Sequence, residues 1–172
     1  IQSGQAVIPA GTEGYTVTNA FTTSQIITVI VEGYGTYEYS LDDGPRQTSN
    51  IFENVSLGPH DIHVWDTEGG VYSCEELVIN NVQIIDYPHY FTPNGDGIHD
   101  TWNIKGLEGQ PAAKIYIFDR YGKLLKQISS TGTGWDGTYN GQLLPSTDYW
   151  FSVDYVEQAV NKQFKAHFSL KR

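Results

Sequence analysis

The sequence predicts an all-β protein built from two antiparallel β-sandwiches in tandem. Apolar and polar residues alternate with a period of two in many short segments, and no segment of helical length has a 3.6-residue period. The 18 glycines fall largely between these segments, as expected of turns that join strands. A chain of 172 residues is long enough for one large domain or two small ones.

The first half contains several predicted strands. Residues 24–33 (SQIITVIVEG) predict one strand, and residues 35–44 predict a second that ends in an Asp-Asp-Gly turn. Residues 50–70 predict a short strand, a Gly-Pro turn and a longer strand with Ile62 and Val64 on one face.

The apolar alternation of residues 75–87 changes phase at Asn80. Ile79 belongs to one face of the predicted strand, whereas Val82 and Ile84 belong to the other. Because a slip of one residue turns every side chain to the opposite face, the change predicts a β-bulge or a join between two strands.

The second half repeats the pattern. Residues 113–128 predict a β-hairpin with Gly122 at positive φ in its turn. Residues 146–156 and 162–172 predict two strands that bury every second residue. The residues expected to be buried are Tyr149, Phe151, Val153 and Tyr155, followed by Phe164, Ala166, Phe168 and Leu170. The other face of the last strand carries Lys165, His167, Ser169 and Lys171.

The charge is distributed unevenly around a net value of −10. Residues 1–86 hold one base, Arg46, and twelve acids, whereas residues 87–172 hold nine bases and eight acids. This difference and the phase change predict two domains, residues 1–83 and 84–172. The acidic first half disfavours nucleic acid and anionic lipid as partners, because phosphate binding needs a basic surface.

The residues give little support for an enzyme. Cys74 is the single cysteine, so no disulfide within the chain and no CxxC motif exist. The five histidines are scattered, and neither HExxH nor GxSxG occurs, so we predict no catalytic residues. The chain starts without Met or an apolar leader, and no apolar run reaches membrane-spanning length. We therefore expect it to be a piece of a longer protein.

One polar loop, TPNGDGIHD, is a candidate calcium site. Asn94, Asp96 and Asp100 stand at spacings found in calcium loops, with glycines between them. Thr92 replaces the usual first Asp, and no Glu closes the loop, so Asp136 or backbone carbonyls would have to supply more oxygens. The alternative is an Asx turn, in which these side chains bond to their own backbone.

In a second dense loop, GTGWDGTYNGQLLP, Gly134, Gly137 and Gly141 are suited to tight chain reversals. We expect Trp135 in this loop to pack inward. Nucleotide binding is disfavoured, because a phosphate-binding loop would need a following helix and a Lys.

Four ordered motifs resemble a known family. They read YPHYFTPNGDGIHDTWNIKGL, IYIFDRYGKLLKQI, GWDGTYNGQLLPSTDYWFSVDY and a terminal FSLKR. Together they resemble the type B C-terminal sorting domain of the Bacteroidetes type IX secretion system, also called the gliding-motility-associated C-terminal domain. One departure is His99, where the family pattern has Asn before Asp100.

The resemblance implies an Ig-like β-sandwich that acts, in its folded form, as a secretion signal. It implies export across the outer membrane to the cell surface through the type IX translocon and a PorP/SprF-type partner protein. It further implies that a terminal strand is recognised, and we expect partner binding at Phe168, Ser169, Leu170, Lys171 and Arg172.

The first half resembles the Ig-like repeats of large surface adhesins. The resemblance rests on three segments: YEYSLDDG, IFENVSLGPHDIHVWD and the region of Cys74. The whole chain therefore resembles the C-terminus of SprB-like gliding adhesins, for which a surface polysaccharide is a candidate ligand. The alternative hypothesis is a calcium-stabilised carbohydrate-binding module, with exposed Tyr and Trp side chains stacking on sugar.

Overall fold

The computed structural model describes residues 4–18, 20–68, 76–157 and 159–172. These residues form thirteen β-strands and no helix, so no described segment is a helix long and apolar enough to cross a membrane. The all-β prediction is confirmed. Cys74 lies outside the described residues.

The chain divides into two compact units, Ile1–Ile84 and Ile85–Arg172. Six strands belong to the first unit. They are β1 (Tyr15–Thr18), β2 (Ile26–Val29), β3 (Tyr37–Leu41), β4 (Ile51–Phe52), β5 (Pro59–Asp66) and β6 (Leu77–Gln83).

The first unit is a sandwich of two three-stranded antiparallel sheets. The strand order is β1-β2-β4 in one sheet and β3-β5-β6 in the other. Alternate residues of both sheets meet in one core, as the period-two pattern requires. The buried members of that core are Ala6, Ile27, Val29, Tyr39, Ile62, Val64, Ile79, Val82 and Ile84.

A β-bulge in β6 accounts for the phase change in the sequence. The pairing of β5 with β6 shifts register just before Ile62. Asn81 takes a φ of 58° there, and its amide donates a 2.8 Å hydrogen bond to Oδ1 of Asp61. The extra residue lets both Ile79 and Val82 face the core. Of the two predicted alternatives, the bulge is the one that forms.

The second unit contains the remaining seven strands. They are β7 (Tyr90–Phe91), β8 (Lys114–Phe118), β9 (Leu124–Ser129), β10 (Thr138–Tyr139), β11 (Gln142–Leu143), β12 (Asp148–Glu157) and β13 (Val160–Leu170). Five of them form one sheet of order β7-β13-β12-β8-β9. All neighbours in that sheet are antiparallel except β7, which pairs in parallel with the end of β13.

The predicted hairpin and alternation of the second unit are confirmed. Gly122 takes a φ of 81° in the turn between β8 and β9, and Oδ1 of Asp119 accepts the amides of Tyr121 and Lys123. One face of β12 and the end of β13 supply the core. Six of the residues predicted for the core face are buried: Tyr149, Phe151, Val153, Tyr155, Phe168 and Leu170. Phe164 and Ala166 on the same face are half-buried.

The layer opposite the five-stranded sheet is irregular. It consists of the short hairpin of β10 and β11 and of isolated bridges, one of which joins Trp102 to Trp135. Both indoles are buried and help to cover the sheet, together with Ile104 and Leu107 from the same layer. Large aromatic side chains therefore replace a regular second sheet as the cover of this core.

Replacing Trp102 with Ala will destabilise the second unit by about 3–5 kcal/mol, because truncation of a buried aromatic leaves a cavity. The indole is fully buried, lies 3.9 Å from the ring of Phe168 and donates through Nε1 to the carbonyl oxygen of Pro88. Denaturant unfolding followed by circular dichroism measures the loss. Tyr121→Ala is the control, since Tyr121 is 83% exposed and its loss will change stability little. Equal stability of the two variants would contradict this account of the core.

Candidate functional site

The loop TPNGDGIHD follows β7 and is held at both ends by buried aromatic residues. Phe91 and Trp102 are each 0% exposed. The amide of Thr92 donates to the carbonyl oxygen of His99 at 2.8 Å and closes the loop. The loop itself lies on the surface between these two anchors.

Asp100 organises the loop by accepting backbone amides. Its Oδ1 accepts the N–H groups of Asn94 and Gly95 at 3.0 and 2.7 Å, and its Oδ2 accepts that of Gly97 at 2.7 Å. These bonds favour the ionised carboxylate. The amides of Gly95 and Gly97 lower the pKa of Asp100 below its ordinary value.

The other two candidate ligands bond within the loop as well. Oδ1 of Asn94 accepts the amide of Asp96, and Nδ2 of Asn94 donates to Oδ2 of Asp96. Oδ1 of Asp96 accepts the amide of Ile98 at 2.8 Å. This is the Asx-turn arrangement that the sequence left open as one alternative.

The geometry favours the turn over a calcium site. Every side-chain oxygen of Asn94, Asp96 and Asp100 accepts a hydrogen bond, whereas Ca²⁺ takes six to eight oxygen ligands. Oδ1 of Asp136 is used by the amide and hydroxyl of Thr138. Within the described ranges no group of three or more His, Cys, Asp or Glu is placed to hold a metal. Ca²⁺ binding by the loop stays a prediction.

His99, where the resemblance led us to expect Asn, takes a backbone conformation that suits Asn. Its φ is 55°, in the left-handed region that Asn adopts more readily than most residues. The position is therefore set by backbone conformation, and its carbonyl oxygen rather than its side chain closes the loop.

The GWDG loop joins the irregular layer to the sheet. Trp135 is 1% exposed, as predicted, and exchanges two 2.9 Å backbone hydrogen bonds with Trp102. A Cβ added to Gly134 would lie 2.6 Å from the carbonyl oxygen of Trp102, and one added to Gly137 would lie 2.7 Å from Cδ1 of Leu170. The glycines thus allow close packing here, in addition to making the turns.

The five terminal residues predicted to bind a partner divide into two groups. Phe168 and Leu170 are at most 1% exposed and belong to the core. Ser169 and Lys171 alternate with these residues and face away from the core. Arg172 lies beyond the end of β13. Oγ of Ser169 donates to a carboxylate oxygen of Asp148.

The last two residues are tied to neighbouring segments. The amide of Lys171 donates to the carbonyl oxygen of Phe91 at 3.0 Å, and its Nζ lies 4.5 Å from the ring centre of Tyr90. The guanidinium of Arg172 donates to the carbonyl oxygens of Leu144 and Gly137. Partner binding by the five residues stays a prediction, and their apolar members would reach a partner only if the core opened.

Sequence reasoning missed a group of aromatic residues on the outer face of the five-stranded sheet. Trp150 is 40% exposed, and its cross-strand neighbours are His167 on one side and Phe118 on the other. The signal was present, because a strand that buries its odd-numbered residues from Tyr149 onward must turn Trp150 outward.

In the first unit, the outward-facing Trp65 is covered. Cζ of Arg46 lies 3.7 Å above the centre of the indole, and the ring of His63 lies parallel to it at 5.7 Å. Nδ1 of His63 in turn lies 2.6 Å from Oε1 of Glu76. A sugar stacking on the covered face would have to displace Arg46. The carbohydrate-binding alternative stays a prediction.

Replacing Asp100 with Asn will lower the melting temperature of the second unit by a few degrees, because an amide cannot accept all three backbone N–H groups. The effect will depend on pH. The pKa of Asp100 is lower in the folded chain than in the unfolded one, so the unfolded chain binds the proton more readily. Asp100 therefore stabilises the fold above its ordinary pKa of 3.8, and this stabilisation is lost as the pH falls through the lowered value.

Calorimetric melting of wild type and Asp100→Asn at about pH 7 and about pH 3 measures this dependence. The difference between the two proteins is expected to shrink at the lower pH. A difference that stays constant would contradict the role assigned to the carboxylate.

The same proteins test the calcium alternative. If the loop is an Asx turn without a metal, the melting temperature will be the same in Ca²⁺ and in EDTA. Ca²⁺ that bound only the folded state would raise the melting temperature. A rise in Ca²⁺ that Asp100→Asn removes would instead establish a metal site at this loop.

Comparison with known proteins leads to one family. Searches of curated proteins and of solved structures found no match to the chain. The family model CHU_C, the type IX secretion signal domain, matches residues 85–170, which is half of the chain and nearly the whole of the second unit. A secretion signal is not a catalytic family. The family predicted from the four ordered motifs is confirmed, and the chain belongs to the CHU_C type IX secretion signal domain family.

Proposed function

We propose that the chain is the C-terminal part of a cell-surface gliding adhesin, and that its second unit is the folded signal for type IX secretion. The observation that carries the proposal is the family match over residues 85–170, on a unit that is compact by itself. A type IX signal directs export across the outer membrane to the cell surface or beyond. Attachment at the surface after export is part of the proposal.

The packing of the chain end supports recognition of a folded signal. Phe168 and Leu170 lie in the core, and β13 pairs with β12 over ten residues. A receptor that read the terminal residues as an extended peptide would have to separate this strand from the sheet. A receptor that reads the folded surface meets no such barrier.

The first unit is proposed as an Ig-like adhesin repeat. Its two three-stranded antiparallel sheets around one apolar core support this assignment. In the full-length adhesin such a unit would act as a spacer, with a surface polysaccharide as a candidate ligand of the whole protein. The partners proposed for the second unit are the outer-membrane translocon and a PorP/SprF-type protein.

Export of a fused reporter tests the proposal. A periplasmic fluorescent protein carrying the whole chain at its C-terminus will reach the surface or medium of a bacterium that has this translocon. The reporter alone, or a fusion to the first unit alone, will remain in the periplasm. Equal export of the reporter with and without residues 85–172 would refute the assignment.

Point variants at the chain end separate a structural role from direct recognition. Phe168→Ala will reduce export because it unfolds the unit, which lower thermal stability will reveal. Lys171→Ala removes an exposed side chain and keeps Phe168 in place. If Lys171→Ala is stable but not exported, the exposed side chain is read directly. If it is exported normally, the terminal residues contribute to export by stabilising the folded unit.

A further inference from the structure

The outer face of the five-stranded sheet is unusually aromatic for a solvent-facing surface. Trp150 is 40% and Leu124 is 49% exposed, and Tyr116 and Phe118 are half-buried beside them. The register places Trp150 directly between His167 on β13 and Phe118 on β8. An antiparallel sheet with one solvated face normally carries polar residues there, so this aromatic face needs a separate explanation.

A shallow groove of about 420 Å³ lies on this face. Trp150 and Phe118 form its apolar part, and Arg120 and Lys165 contribute cationic side chains. Aromatic side chains and Arg in a concave site are the residues that most often dominate the energy of protein–protein binding. The composition and the shape of the groove thus both fit a docking site.

The cationic side chains of the groove have no ion-pair partners within the described ranges, whereas the carboxylates on the same face accept hydrogen bonds. The oxygens of these carboxylates accept hydrogen bonds from neutral groups: Asp148 from Oγ of Ser169, Asp154 from Nε2 of Gln163, and Asp119 from amides of its own turn. Neither Lys165 nor Arg120 is in an ion pair with any described residue. The groove lining therefore carries two cations, neither of them in an ion pair in the described part of the chain, against one carboxylate, Asp119, so its net charge is positive.

We propose that this groove, centred on Trp150, is the surface by which the second unit docks onto a partner protein that presents an apolar side chain flanked by carboxylates. The inference rests on the proposed secretion function and specifies how the signal is recognised. It places recognition on the outer sheet face, whereas the sequence pointed to the five terminal residues. Charge complementarity points to an acidic partner, because the groove lining holds two cations and one carboxylate and is net positive.

The test uses the full chain fused to a reporter and exported as above. Trp150→Thr removes the aromatic anchor and keeps a residue suited to a strand. Lys165→Glu reverses one groove charge. The matched controls are Leu143→Thr, which removes an apolar side chain that is 72% exposed elsewhere, and Lys105→Glu, which makes the same charge change in the opposite layer. Melting temperatures of all four proteins establish that each remains folded.

Both groove variants are expected to lower the exported fraction by about tenfold or more, the size of effect seen when a dominant contact residue is truncated. Lys165→Gln will fall between wild type and Lys165→Glu, and Lys165→Arg will be exported like wild type. Both controls will be exported like wild type.

Groove variants that are folded and exported as well as wild type would overturn the inference and leave the secretion function standing. An equal loss of export in Lys105→Glu would also overturn it, because the effect would then follow total charge. Absence of wild-type export would overturn the secretion function and the inference with it.

Two further measurements distinguish other occupants of the groove. Sedimentation of the purified chain would reveal self-association, and a glycan array would reveal sugar binding. Either activity, if present in wild type and lost in Trp150→Thr, would assign the groove to a second copy or to a saccharide and would overturn the acidic protein partner. A monomer that binds no glycan is the expected result.

Discussion

The stacking of Phe168 on Trp102 holds the second unit together. The two rings lie 3.9 Å apart and nearly parallel, and both side chains are fully buried. Phe168 belongs to the last strand of the sheet, and Trp102 to the irregular layer opposite. One contact therefore joins the chain terminus to the segment that begins the domain. Since that layer lacks a regular sheet, its position depends on aromatic packing of this kind rather than on a hydrogen-bonded ladder.

The loops of the second unit remain ordered by satisfying their own polar groups. Asp100 accepts three backbone amides, and Asp119 and Asp136 each accept bonds within their own turns. Such carboxylates fix the chain direction between buried anchors by local hydrogen bonds. The dense Asn, Asp and Gly residues of these loops thus serve to fix the backbone conformation. They position Trp102 and Trp135, whose indoles close the core.

The exposed aromatic residues of the two units differ in one important respect. In the first unit, the guanidinium of Arg46 covers the indole of Trp65. In the second, Trp150 is 40% exposed in a groove whose cations have no ion-pair partner among the described residues. A covered indole contributes to the stability of its own sheet, whereas an exposed one beside unpaired charge is available to another molecule. The docking proposed for the folded signal relies on such a surface.

Local chemistry in the sequence was sufficient to predict most of the strands, the change of phase at Asn80 and the hairpin turn at Gly122. These features depend on period-two burial and on residues that tolerate positive φ, and both can be read from neighbours along the chain. The family could also be recognised, because its motifs combine the same turn residues with the buried aromatics. Tertiary structure decided the rest. Pairing of β7 with β13 and contact of Phe168 with Trp102 join residues far apart in sequence, and they place Phe168 of the terminal strand in the core. Whether the oxygens of Asp100 face amides or a cation, and whether Trp150 is covered, likewise depends on distances that spacing along one chain does not fix.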